Sequence, residues 1–158
     1  MGNIFTASEI AEMGVKIEEN GRDFYQEAAR KSKNESVAKV FELLAGEEED
    51  HIRKFEAILS RVKKYEPSEA YPNEYFSYIR SLSGEYVFTK EKKGAQIAGI
   101  IKTDKEAVDL GIGFEKDSIL FYEEMKKFVL EEEKSVVDKL LEQEKIHLRK
   151  LNELRRAL

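Results

Sequence analysis

The chain has 158 residues, 41% of them apolar and 37% charged, with a net charge of −5. This length suits one compact domain over 1–158, and the small number of prolines (2) fits long amphipathic helices. The acidic balance argues against nucleic acid as a partner, and the lack of cysteine excludes thiolate metal sites and iron–sulfur clusters. No apolar run reaches membrane-spanning length and the N-terminus has no signal-peptide pattern, so we expect a cytoplasmic protein with no membrane partner.

Four segments have apolar residues at the spacing of an amphipathic helix. We predict helices over residues 7–32, 35–64, 104–129 and 131–157. Residues that favour helix N-termini precede three of these segments: Thr6, Asn34 and Thr103. Thr6 and Thr103 each have a glutamate three residues later, which is the pattern of a capping box. Local sequence and periodicity therefore agree on where these helices begin.

The connection between the second and third helices, residues 65–103, is long and is rich in aromatic residues from 71 to 88. We predict one or two short helices in it, over 73–82 and 91–100, because a structureless connection of this length is unusual in a compact domain. Such a crossover can run the length of a bundle and join two parallel helices. The aromatic residues are expected to serve in packing or in a subunit interface. If they form an interface, we expect the protein to be a homodimer.

Both histidines of the chain stand three residues after a glutamate, on the same face of a helix. The two Glu-x-x-His pairs are Glu48–His51 and Glu144–His147. A Glu-x6-Tyr motif precedes each pair by about 30 residues, as Glu18–Tyr25 and Glu115–Tyr122. Equivalent residues of the two sets lie 96 or 97 positions apart, which indicates an internal repeat. We therefore predict an all-α fold, a four-helix bundle built from two repeated hairpins.

The glutamates and histidines of these motifs interrupt apolar stripes, so the bundle would bury four carboxylates in its core. Buried carboxylates must protonate, pair or bind cations, and no lysine or arginine stands at helical spacing on these faces. Two divalent metal ions would balance four carboxylates and two neutral imidazoles. This ligand set favours iron, or manganese as the alternative, over magnesium and calcium. It is a poor match for structural zinc, which prefers thiolate or imidazole ligands.

The spacing also matches the general pattern of di-metal bundles, in which two helices give one Glu each and two give a Glu-x-x-His. We predict Glu48 and Glu144 as bridging ligands. The other ligands divide between the two metals as terminal groups: Glu18, Glu115, His51 and His147. Tyr25 and Tyr122 are expected to donate a hydrogen bond to a ligand carboxylate of the other half and to fix its orientation.

A simpler interpretation treats these residues as ordinary helix positions. In it Glu48 and Glu144 are surface charges, but both stand among Val, Leu and Ile residues. A tyrosine on a helix stripe is usually core packing, which is the alternative role for Tyr25 and Tyr122. The acidic runs at 47–50 and 131–133 are expected to be mostly solvated, apart from Glu48.

The constellation resembles the rubrerythrin and ferritin-like di-iron carboxylate family over roughly residues 7–158. Both motifs match on all four helices, and the long mid-chain crossover matches too. The resemblance implies a non-haem site with two iron ions that reacts with hydrogen peroxide or dioxygen. Rubrerythrin-like chains usually carry a rubredoxin module with four cysteines, so electrons would here come from a separate donor protein. They also tend to have an extra glutamate at the position of Ser118, so a six-ligand site is implied.

Several functions share this ligand set. The first is a di-iron oxidoreductase of the peroxidase or oxidase type, and the second is a ferroxidase or iron-storage protein. The third is a bundle whose metal only stabilises the fold, and a small-molecule hydroxylase is a further option. Because the ligands would be identical, the sequence does not separate the first from the third.

Overall fold

The computed structural model describes residues 7–65, 93–127 and 129–158. Its helices are α1 (Ala7–Lys31), α2 (Glu35–Tyr65), α3 (Lys93–Ile100), α4 (Asp104–Met125) and α5 (Lys134–Ala157), with a 3-10 turn at Glu131–Glu133. The predicted all-helical fold is confirmed. Thr6, the predicted helix at 73–82 and the aromatic residues from 71 to 88 lie outside the described residues, so the homodimer stays a prediction.

The four long helices form a bundle of two hairpins. Helix α1 packs along α2, helix α4 packs along α5, and the hairpins meet through α1 with α4 and α2 with α5. Large apolar side chains from all four helices fill the core between them, including Phe24, Phe41, Phe55, Phe121, Leu140 and Leu151. None of the helices described is long and apolar enough to cross a membrane.

The turns that open α2 and α4 follow from the local sequence. Asn34 Oδ1 accepts from the backbone N–H of Ser36 at 3.0 Å and of Val37 at 3.3 Å. Thr103 Oγ1 accepts from the backbone N–H of Glu106 at 3.1 Å. In return, the Glu106 carboxylate accepts from the backbone N–H of Lys102. Both predicted caps therefore form, and they satisfy backbone donors that a helix leaves free at its start.

Helix α3 lies in the part of the crossover, from residue 93 onwards, that the structure describes. It packs against α1. The N–H of Gly94 donates to Asn20 Oδ1 at 3.1 Å in the buried contact between the two helices. At the other end of α3, Lys31 Nζ donates to the carbonyl oxygens of Ala98 at 3.1 Å and Gly99 at 2.8 Å. A lysine in the last turn of α1 thus satisfies the free carbonyls of α3.

The bundle differs from the prediction where α4 passes into α5. Helix α4 ends at Met125, not at 129, because the chain tightens: the N–H of Lys127 bonds to the carbonyl three residues back. Residues 131–133, predicted to begin the last helix as solvated acids, form the 3-10 turn instead. Glu133 is fully buried there and accepts from Arg61 Nη1 at 2.7 Å. That ion pair fixes the turn against α2, and it makes Glu133 the exception in a run whose other two members, Glu131 and Glu132, are exposed.

Candidate metal centre

Six polar side chains lie together in the middle of the apolar bundle. Glu18 comes from α1, Glu115 from α4, and each Glu-x-x-His pair from α2 or α5. Each of the six residues is at most 3% exposed: Glu18, Glu48, His51, Glu115, Glu144 and His147. The helical spacing explains this, because residues three apart share a face and both pairs stand on the face that meets the other hairpin. The structure thus brings all the predicted ligands into one cluster.

The cluster divides into two overlapping groups that could each hold a metal ion. In each group one ligand atom per residue lies within 4.8 Å of all the others. The first group is Glu18, Glu48, His51 and Glu144, and the second is Glu48, Glu115, Glu144 and His147. Glu48 and Glu144 belong to both groups, which is the geometry of bridging carboxylates. Each group takes three residues from one hairpin and one from the other.

The two imidazoles face the carboxylates through the same ring atom. His51 Nδ1 lies 2.9 Å from Glu144 Oε1, and His147 Nδ1 lies 3.1 Å from Glu48 Oε1. The rings stack with their centroids 5.3 Å apart and an interplanar angle of 12°. Each histidine therefore has its closest inner contact with the shared glutamate of the opposite hairpin.

The outer ring nitrogens contact two residues that sequence reasoning missed. His51 Nε2 is hydrogen-bonded to Gln143 Oε1 at 2.7 Å. His147 Nε2 lies 2.7 Å from Glu47 Oε2 in an ion-pair contact. The contact with His147 lowers the pKa of Glu47. Glu47 belongs to an acidic run that was expected to be mostly solvated, and its side chain is half-buried because it contacts His147.

The two tyrosines connect the hairpins across the cluster. Tyr25 Oη donates to Glu115 Oε1 at 2.5 Å, and Tyr122 Oη donates to Glu18 Oε1. Both tyrosines are buried, and burial together with the nearby carboxylates raises their pKa well above the usual value. They therefore stay protonated as donors. The structure shows the cross-hairpin hydrogen bonds that the repeat predicts.

Burial and mutual repulsion separate the pKa values of Glu18 and Glu48. Burial alone would raise the pKa of Glu18, but its contacts with Glu48 and His51 lower it to about 2. Burial and the charge of Glu18 raise the pKa of Glu48 to about 8. At neutral pH Glu18 is therefore ionised, and the one proton of this pair is held mainly by Glu48.

The other hairpin repeats this pattern. Burial, with the charges of Glu48 and Glu115, raises the pKa of Glu144 well above its usual value. Burial would also raise the pKa of Glu115, but its contacts with Glu144 and His147 lower it. Burial alone would lower the pKa of both histidines, and the surrounding carboxylates raise it. The carboxyl group of Glu144 and both imidazoles thus hold their protons more strongly than free side chains do.

The donor set fits two divalent cations as well as it fits these protons. Two ions would balance four carboxylates and two neutral imidazoles, and binding would displace the protons. Buried ligand atoms also lack hydrogen-bond partners although opposing atoms are close: Glu18 Oε2, His51 Nδ1, Glu115 Oε2, Glu144 Oε1 and His147 Nδ1. Unsatisfied buried acceptors are rare in proteins, and a shared cation satisfies them. Ser118, three residues after Glu115, is also buried, but it belongs to neither ligand group.

A helical bundle with this buried carboxylate and histidine cluster belongs to the class of bundles that can hold two metal ions in their core. A family model for rubrerythrin matches residues 9–155, and the chain belongs to the rubrerythrin family. It is also similar to the crystal structure of a ferritin-like diiron-carboxylate protein from Thermotoga maritima, with 26% identity and a TM-score of 0.69. The match covers 99% of this chain and 98% of that one. No curated protein matches the sequence.

Proposed function

We propose that this protein is a non-haem di-iron oxidoreductase that reacts with hydrogen peroxide or dioxygen. The observation that carries the proposal is the pair of overlapping ligand groups, which share Glu48 and Glu144 at the centre of the bundle. Two ions held by shared carboxylates lie close enough to act on one small oxidant together. The resemblance to a diiron-carboxylate structure supports iron as the native metal, with manganese as the alternative.

The side chains have distinct roles in this proposal. Glu48 and Glu144 would hold both ions as shared ligands, while Glu18 and Glu115 would each hold one ion as terminal carboxylates. The two imidazoles would bind through Nδ1, the atom that faces the carboxylates. When bound, iron supplies one-electron transfer between its ferrous and ferric states. The anionic ligands favour the more highly charged ferric ion, so they promote transfer of electrons to the oxidant.

Tyr25 and Tyr122 are proposed to act through the terminal carboxylates. Each hydroxyl holds one carboxylate oxygen of the opposite hairpin and leaves the other oxygen without a partner. In Glu18 that free oxygen, Oε2, lies 3.4 Å from His51 Nδ1. The tyrosines therefore orient the terminal ligands before any ion arrives, which is the usual contribution of groups that contact metal ligands.

Burial of the cluster favours a small oxidant over a large organic substrate. All six ligand residues are at most 3% exposed. Peroxide and dioxygen can reach such a site through small fluctuations of the packed helices, whereas a hydroxylase needs a pocket that holds its substrate beside the metal. We propose that electrons come from a separate donor protein in the cytoplasm, since none of the 158 residues is a cysteine that could hold an iron–sulfur relay.

The proposal is tested by iron loading followed by an oxidant. Metal-free protein is reconstituted with ferrous iron without oxygen, and iron per chain is measured. About two irons per chain are expected for the wild type and for Glu153→Gln, an exposed position on α5. Glu144→Gln, on the same helix, removes a shared ligand and should lose both ions.

The loaded protein is then mixed with hydrogen peroxide and a chemical reductant. Consumption of many equivalents of peroxide, absent in Glu144→Gln, supports the oxidoreductase. Two bound irons that stay ferrous when peroxide is added without the reductant would show a metal that only stabilises the fold. No tightly bound iron would refute the metal centre itself. A particle mass at or below a tetramer by light scattering excludes storage in a large shell.

A further inference from the structure

The outer contacts of the two histidines break the symmetry of the site. Gln143 and Glu47 occupy equivalent positions of the internal repeat, each directly before a shared glutamate. Gln143 contacts His51 Nε2, and Glu47 contacts His147 Nε2, both at 2.7 Å. One imidazole therefore has a neutral amide behind it, and the other has a carboxylate.

Both contacts fix the same tautomer of the histidine. Lys54 Nζ donates to Gln143 Oε1 at 3.2 Å, so the amide atom that meets His51 is an oxygen, since lysine has no acceptor. A carboxylate oxygen of Glu47 is likewise an acceptor only. Two lone pairs would repel at 2.7 Å, so Nε2 carries the proton in both rings. This leaves Nδ1 as the metal-binding atom on each histidine.

The surrounding charges do not cancel the difference. Lys54 stands beside Gln143, and its repeat equivalent Lys150 lies 3.5 Å from Glu47 Oε1. Each half thus has one lysine, and the extra negative charge of Glu47 remains on the His147 side. An imidazole that binds a cation through Nδ1 draws positive charge onto its ring, and a carboxylate at Nε2 stabilises that charge better than an amide does.

We propose that the two metal subsites differ in affinity because of Glu47, and that the subsite of Glu115 and His147 binds its ion more tightly than that of Glu18 and His51. Glu47 is a positioning residue that acts through His147. The inference rests on the proposed metal centre and extends it. Partners of metal-binding histidines typically change affinity about 10- to 100-fold, so a difference of about 10-fold or more is expected.

The test isolates each subsite and uses Mn²⁺ as the probe. Glu18→Ala removes the terminal ligand beside His51, and Glu115→Ala removes the one beside His147. The variants are matched, because each also frees one tyrosine. The dissociation constant is measured from the electron paramagnetic resonance signal of free Mn²⁺, and circular dichroism checks that the helices persist. Glu18→Ala should bind Mn²⁺ about 10-fold or more tightly than Glu115→Ala.

Exchanging the outer residues then assigns the cause. Adding Glu47→Gln to Glu18→Ala should remove its advantage, and adding Gln143→Glu to Glu115→Ala should raise its affinity by a similar factor. Equal affinities of the two starting variants, or no response to Glu47→Gln, would overturn the inference and leave the proposed function standing. No Mn²⁺ binding by the wild type would overturn the inference, and iron loading of the same protein then decides the proposed function separately.

Loss of binding in both single-subsite variants still leaves a decisive measurement. In the otherwise unchanged protein, Glu47→Gln should weaken the first Mn²⁺ about 10-fold, and Gln143→Glu should not weaken it. An unchanged first dissociation constant in Glu47→Gln would then overturn the inference, because Glu47 would make no difference to the tighter subsite.

Discussion

Replacing Glu48 with glutamine should stabilise the metal-free protein while destroying its metal centre. Burial and the charge of Glu18 raise the pKa of Glu48 from 4.5 to about 8. The folded state therefore binds a proton that the unfolded state releases between these pH values, and stability falls as pH rises through this range. Glutamine resembles the protonated acid in shape and has no charge to bury, so the variant is spared this loss.

The size of the effect follows from the pKa shift. One pH unit is worth about 1.4 kcal/mol, so the ionised carboxylate costs roughly 3 kcal/mol at pH 7 and roughly 5 kcal/mol above pH 8. The glutamine amide needs partners of its own, which removes about 1–3 kcal/mol of the gain. We expect Glu48→Gln to exceed the wild type by about 1–3 kcal/mol at pH 8 and to be about 0–2 kcal/mol less stable than the wild type at pH 5, where the cost of the amide outweighs the small gain.

Urea unfolding at pH 5, 6, 7 and 8, with a chelator present, measures the difference. Glu56→Gln removes an exposed charge from the same helix and should change the free energy of unfolding by under about 0.5 kcal/mol at every pH. With Mn²⁺ added, the wild type should gain stability by mass action and Glu48→Gln should not. A Glu48→Gln protein that is less stable than the wild type at pH 8 without metal would refute the assigned burial penalty. A difference that does not depend on pH would refute it equally.

Three further outcomes are expected. Tyr25→Phe and Tyr122→Phe should each weaken Mn²⁺ binding about 10-fold while the helical circular dichroism is unchanged, and unaltered affinity in both would leave the tyrosines with a packing role only. Uptake of two divalent ions near pH 6 should release protons, measured by calorimetry in buffers of different ionisation enthalpy, so apparent affinity should rise with pH. Gly94→Ala should lower the free energy of unfolding by about 2 kcal/mol or more, because a Cβ would stand 1.9 Å from the Asn20 carbonyl oxygen. Gly99→Ala, on the same helix with open space around it, should be neutral or stabilising by up to about 1 kcal/mol in thermal or urea unfolding.

The cross-hairpin contacts of the tyrosines could be predicted because they depend only on helix geometry and the repeat. A residue seven positions after Glu18 lies two turns along the same face, whatever the details of packing. Two equivalent faces must then meet at the same height, so Tyr25 reaches the glutamate of the other hairpin, Glu115. No knowledge of helix rotation is needed for this conclusion.

The partners of the histidines could not be predicted in this way. Glu47 stands about 100° around the helix from Glu48, at an angle that a solvated residue also occupies. Whether it meets water or His147 depends on the rotation and stagger of α2 against α5, which the apolar stripe defines only broadly. The same limit applies to Glu133, whose burial depends on Arg61 reaching it from α2. The sequence of an acidic run is the same whether one of its side chains is buried or all of them are solvated.

The division of ligands between the hairpins explains why a buried polar cluster can persist in this core. Neither hairpin holds a complete group, since each group needs the shared glutamate of the other, Glu48 or Glu144. A bound ion therefore joins α1 and α2 to α4 and α5, and its binding energy adds to the stability of the assembled bundle. Without an ion the same carboxylates destabilise the interface that they line. Selection for metal binding and selection for metal-free stability thus act in opposite directions on the same side chains, as the Glu48→Gln experiment measures directly.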